Sequence, residues 1–263
     1  MRIFFFLLLT IPFLFTRCTD NDADNNENTK SNVAALSYAI TASYPHDTSS
    51  FTQGLVFYKG QLLEGTGNKG KSKLAKIDLK TGKAITEIKL DSLYFGEGIT
   101  VLNDTLYQLT WEEKVVFVYS AKDFKKIRQF SINTVGWGIT HDGKNLIVTD
   151  GSNNLYYYEP SSFRLLRTQR VTEDGSPAMN LNELEYINGF IYANQWQYNY
   201  ILKIDPASGH VVAKLDLTDL NKRVKSKAPN SDWLNGIAYN PETKKVFVTG
   251  KYWPEIFEID FPY

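Results

Sequence analysis

Short apolar runs recur in the same order in five successive units between residues 51 and 260, four runs in each of the first four, and little but a circular array of small sheets satisfies that pattern. The first run of each unit is FTQGLVF (51–57), FGEGITV (95–101), VGWGITH (135–141), LNELEYI (181–187) or LNGIAYN (234–240). The second is QLLEGTG (61–67), LYQLTW (106–111), LIVTDG (146–151), IYANQW (191–196) or VFVTGK (246–251). A third, amphipathic run starts at 74, 115, 155, 200 and 256, and a fourth occupies 84–90, 126–132, 165–171 and 211–217. The runs are short and rich in Val, Ile, Tyr, Phe and Thr. Turn pairs such as Asn103-Asp104, Asp142-Gly143 and Asn188-Gly189 separate them, so they read as strands. Four-strand units at intervals of about 40–50 residues predict a β-propeller.

The fifth unit has no fourth run before Tyr263, and LSYAITASYP (36–45) is expected to supply it. The predicted fold is therefore all-β, a five-bladed β-propeller over 36–263 whose N-terminal strand closes the last blade. Helical periodicity persists only near 216–225. The 263-residue chain is long enough for one sizeable core, and its 29 basic and 29 acidic residues balance, with no basic stripe. That argues against nucleic acid as a partner.

Residues 1–17 read as an export signal: Met1-Arg2 gives a positive start, and 3–15 are almost wholly apolar. The single cysteine, Cys18, follows at once. It has no internal disulfide partner, so the choices are an unpaired thiol or acylation as a bacterial lipoprotein. Arg17 departs from the small residue usual before a lipidated cysteine. The polar stretch TDNDADNNENTKSN (19–32) favours the lipoprotein, as a disordered tether over 18–35. The expectation is an exported, periplasmic or cell-envelope lipoprotein, monomeric, touching a membrane only through Cys18.

Aligned units put Gln53, Glu97, Trp137, Asn182 and Asn235 at one position of the channel-lining first strand. Each except Asn182 precedes a glycine. A second equivalent set, at the ends of the second strands, is Gly67, Trp111, Gly151, Trp196 and Lys251. The tryptophans taken singly suit blade packing. Two Trp and a Lys on one rim, above a ring holding a single acid, suit a pocket for a small polar ligand with an amine. Glu97 is either a structural carboxylate or, between aromatic walls, a proton carrier. Of the neighbouring acids, strand alternation turns Glu183 away from the channel and puts Glu185 on the channel side, deeper in.

His46, His141 and His210 form no metal-ligand spacing, and no GxSxG element, P-loop or dinucleotide fingerprint is present. TDGSNN (149–154) is the best candidate for calcium and reads more simply as a solvated turn.

FTQGL (51–55), EGTG (64–67), YFGEGIT (94–100), QLTW (108–111), GWGIT (136–140), TDGS (149–152), LNELEY (181–186), ANQW (193–196), DWLNGIAYN (232–240) and VTGKYWP (248–254) together resemble the plant-type glutaminyl-peptide cyclotransferases and their bacterial relatives. The resemblance is collinear over about 45–260. It implies a five-bladed propeller that cyclises N-terminal glutamine of peptides or proteins to pyroglutamate, releasing ammonia and needing no metal or other cofactor. It also implies a site of Phe51, Gln53, Phe95, Glu97, Trp111, Trp137, Asn182, Trp196 and Lys251, all present here. In that reading Glu97 carries the proton, Lys251, Gln53 and Asn182 are the other catalytic groups, and the aromatic residues hold the substrate. Two other classes compete: a non-catalytic propeller binding amines or peptide N-termini, and a metal-dependent lactonase-type propeller. The lone acid in the first ring disfavours the latter.

Overall fold

The computed structural model describes Met1 and residues 31–263; the expected export signal, Cys18 and most of the tether lie outside the described residues. Five antiparallel sheets surround a central axis. The first four blades open with the inner strands Thr52–Tyr58, Gly96–Leu102, Ile139–His141 and Leu181–Ile187. The fifth is Leu234–Asn240, Lys245–Gly250 and Glu255–Asp260, with Ala39–Pro45 as its outer strand. Ala39 pairs with Asp260 and Pro45 with Glu255, the closure expected from the sequence.

Each inner strand packs against the next, and the last returns to the first. Five separate apolar clusters fill the gaps between neighbouring blades. Leu63, Leu74 and Leu106, for example, bury between the first and second blades. Alternation along each strand sends one set of side chains into each gap, so the sequence period becomes the period of the core. The hairpin pairs Asn103-Asp104 and Asn188-Gly189 have positive φ at both positions, the geometry that matches strand twist.

Three features depart from expectation. Ordered structure begins before residue 36: Ala34–Leu36 adds a parallel fifth strand to the outer strand Val211–Asp216 of the fourth blade. Asp174 fastens this segment by accepting from Ser31 Oγ and the Asn32 N–H. Leu36 and Val33 find apolar cover, and an otherwise open edge is paired. Second, Thr172–Glu173 and Ser176–Pro177 form a small hairpin between the third and fourth blades. The helical periodicity near 216–225 becomes the helix Thr218–Lys227, which buries Leu220 and Val224.

Third, Glu183 does not turn away from the axis. Its carboxylate accepts the Ile237 N–H at 2.8 Å and the Leu55 N–H at 3.3 Å, tying the fourth blade to the fifth and first. The register of the inner strand shifts between Leu181 and Leu184, and that bulge breaks the alternation on which the expectation rested. Other blades carry glycine at this position. A Cβ on Gly138 would lie 2.0 Å from the Asn182 carbonyl oxygen, so the inner strands meet there backbone to backbone. Glu185 accepts the Tyr239 N–H at 2.8 Å, and burial pushes its carboxyl up to about 8.

A buried ion pair sits where the ring closes. His46 Nε2 lies 3.0 Å from Glu64 Oε1, and His46 Nδ1 lies 2.9 Å from the Trp253 carbonyl oxygen. Both ring nitrogens face acceptors, so both carry protons. Burial alone would lower the His46 pKa; Glu64 and the Trp253 carbonyl outweigh it and hold it above the ordinary value. Burial alone would raise Glu64; His46 and the Thr52 hydroxyl hold it below. The raised histidine stabilises the fold fully below its unfolded value of about 6.5, and the depressed glutamate does so fully above about 4.3. The stability advantage of the native protein over His46→Gln, followed by urea unfolding, is therefore expected to be greatest between those limits. It should shrink as pH rises through the raised histidine value or falls through the depressed glutamate one. Removing one partner of such a pair costs on the order of 3–5 kcal/mol.

Candidate active site

One mouth of the axis opens into a cavity of about 310 Å³. Four blades build its wall with the same local bond. The N–H groups of Gly67, Trp111, Trp196 and Lys251 donate to the carbonyls of Phe51, Phe95, Asn180 and Trp233, at 2.8, 3.1, 2.8 and 3.0 Å. Each bond fixes the end of a second strand beside the entry to a first strand, so the two equivalent sets read from the repeats converge on one place. The glycines at 67 and 151 leave room for aromatic rings: a Cβ would lie 2.4 Å from the Phe95 ring at Gly67 and 2.6 Å from the Trp137 ring at Gly151.

All nine residues expected at the site line this cavity: Phe51, Gln53, Phe95, Glu97, Trp111, Trp137, Asn182, Trp196 and Lys251. Phe95 meets Phe51 and Trp111 edge to face at 6.0 and 5.6 Å, and Trp137 meets Trp196 at 5.4 Å. The Lys251 ammonium lies 4.5 Å from the centre of the Phe51 ring. Asn235 belongs to the ring of equivalent positions but stands behind the wall. Its Nδ2 donates to Gln53 Oε1 at 3.0 Å, which aims the Gln53 amide N–H groups at Glu97.

Sequence reasoning passed over Asp232 and Trp233, which also line the cavity. The signal was available for Trp233, two residues before Asn235 as Phe51 stands before Gln53 and Phe95 before Glu97. TDGSNN is a self-contained turn: Asp150 accepts from the hydroxyls of Thr134, Ser152 and Tyr156, which occupies the oxygens a calcium ion would need.

Glu97 is 3 % exposed, and burial pushes its carboxyl well above the usual range. The Lys251 ammonium opposes that shift, Glu113 adds to it, and the hydrogen bond with Gln53 opposes it. Lys251 is 4 % exposed; burial lowers its pKa, against the attraction of Glu97 and Asp232. Glu97 Oε2 and Asn182 Oδ1 are buried without a hydrogen-bond partner. A carboxylate of high proton affinity, an ammonium and unsatisfied polar atoms inside aromatic walls are equipped to move a proton and bear a transient negative charge.

Such a pocket, at the mouth of a five-bladed propeller, is the candidate active site of an enzyme. The family model for glutamine cyclotransferase matches residues 11–261. The glutaminyl-peptide cyclotransferase of Arabidopsis thaliana is 39 % identical over 223 residues, which span 84 % of this chain and 70 % of that one. The crystal structure of Myxococcus xanthus glutaminyl cyclase superposes with a TM-score of 0.82 at 35 % identity, covering 87 % of this chain and 98 % of that one. The chain belongs to the glutamine cyclotransferase family and is an enzyme of the glutaminyl-peptide cyclotransferase class.

Proposed function

We propose that this chain converts the N-terminal glutamine of peptides and proteins to pyroglutamate with release of ammonia, Glu97 carrying the proton. The observation that carries the reading is the buried Glu97 carboxylate, with one unpartnered oxygen, facing an aromatic cavity beside Lys251.

The substrate's α-nitrogen attacks its own γ-carboxamide carbon and forms a C–N bond. Glu97 takes the proton the nitrogen must lose and returns it to the leaving nitrogen as the old C–N bond breaks, so ammonia departs and the carboxylate is restored. A carboxyl with raised affinity for protons is matched to an amine of pKa about 8. The tetrahedral oxyanion needs donors. Lys251 and the amides of Gln53 and Asn182 line the cavity and can supply them. Trp111, Trp137, Trp196 and Phe95 fold the flexible glutamine side chain toward its ring-closing shape, and orientation is a large part of the rate of an intramolecular attack.

Incubation with a Gln-leading dipeptide, read by ammonia release and by the mass of the cyclised product, tests the reading. Binding of the dipeptide without turnover would replace it with the non-catalytic alternative. Since carboxylate and ammonium supply the chemistry, turnover is expected to survive exhaustive chelation; loss on chelation and recovery with zinc would overturn this. The proposal extends to an exported lipoprotein anchored through Cys18, and a Cys18→Ser protein that stays in the membrane fraction would remove the anchor.

A further inference from the structure

The buried Glu64–His46 pair lies outside the cavity, yet its bonds end on the two segments that carry one side of it. Glu64 accepts from Thr52 Oγ1 at 2.7 Å and from Ser50 Oγ at 3.2 Å. Those hydroxyls flank Phe51, and Thr52 directly precedes Gln53. On its other side the pair reaches the segment after Lys251, through His46 Nδ1 to the Trp253 carbonyl and the His46 N–H to the Pro254 carbonyl, both at 2.9 Å. A direct strut, the Tyr252 N–H to the Ser50 carbonyl at 2.8 Å, joins the two segments between these points.

We infer that Glu64 and His46 are positioning residues of the active site, holding Phe51 and Gln53 of the first blade in register with Lys251 of the fifth. The inference rests on the proposed cyclisation only for its kinetic readout. A buried ion pair is weak support for stability, since apolar residues of similar volume often serve as well. Here the pair has five further bonds, which end on residues 50 and 52 before Gln53 and on residues 249, 253 and 254 around Lys251. The contact it sets is the Lys251 ammonium over the Phe51 ring. Displacements near 1 Å at such sites cost up to about 10²-fold in rate.

Thr52→Val removes one hydroxyl bond to Glu64 at nearly constant volume and leaves the ion pair; Thr52→Ser keeps the hydroxyl. Glu64→Gln is the stronger lesion, and Thr52→Val remains informative if that variant does not fold. Two readouts apply: the ring-current shift of the Lys251 side-chain NMR signals, and kcat and KM for a Gln-leading dipeptide. The expected result is that Thr52→Val moves the Lys251 signals and lowers kcat by about ten-fold, and that Thr52→Ser restores both. Unmoved Lys251 signals overturn the inference, as do equal losses in the Val and Ser proteins. A moved signal with kcat within two-fold of native overturns it too. If the native protein itself releases no ammonia, the cyclisation reading fails, while the NMR signals still decide whether the pair positions Lys251.

Discussion

Glu97→Gln is expected to reduce kcat by about 10²–10⁴-fold with the propeller intact. The change preserves shape and hydrogen bonding but removes the one group in the inner ring that can both take and return a proton. The pH profile gives an independent check. In the reactive complex the substrate amine is neutral and Glu97 is ionised, so activity falls at low pH as the pair takes up a proton. Because burial raises Glu97, the acid limb should lie well above the usual carboxylate range near 4.3. Activity of Glu97→Gln within a few-fold of native would make Glu97 structural and move the chemistry to Glu185 or a water.

Lys251→Met should lower kcat by about 10²–10³-fold, the usual cost of losing one oxyanion donor, and change KM less. It carries a second signature. The ammonium holds the Glu97 carboxyl down, so its removal lets that carboxyl rise further and moves the acid limb to higher pH. A raised KM with kcat nearly unchanged would assign Lys251 to peptide binding. If Asn182 shares the oxyanion, Asn182→Ala combined with Lys251→Met should cost well beyond the sum of the single changes.

The sequence disclosed this fold because a propeller writes its period into the chain: each blade needs the same alternation, and each needs turns at the same offsets. Gln53, Glu97 and Asn182 were legible as cavity-lining candidates because they break an otherwise repetitive position. Asp232 was not, since it precedes the repeat and reaches the wall only because its N–H bonds to the Lys251 carbonyl. Glu183 was misread because a one-residue bulge overrides alternation, and no local composition marks the bulge. The strand at Ala34–Leu36 lay hidden in a segment whose polar beginning dominates its composition. The hairpin after residue 171 had its signal in Asp174-Gly175, both at positive φ.

The pairing of Ala39–Pro45 with Glu255–Asp260 also governs the order in which the molecule can be made. The partner of an early strand is the third strand of the fifth blade, so the ring stays open until Glu255–Asp260 has been made. Four blades can form as hairpins while translation proceeds, but Lys251 meets Phe51 only at closure. On the proposed mechanism, topological closure would also complete the catalytic site, so a chain truncated before Glu255 is expected to release no ammonia from a Gln-leading dipeptide.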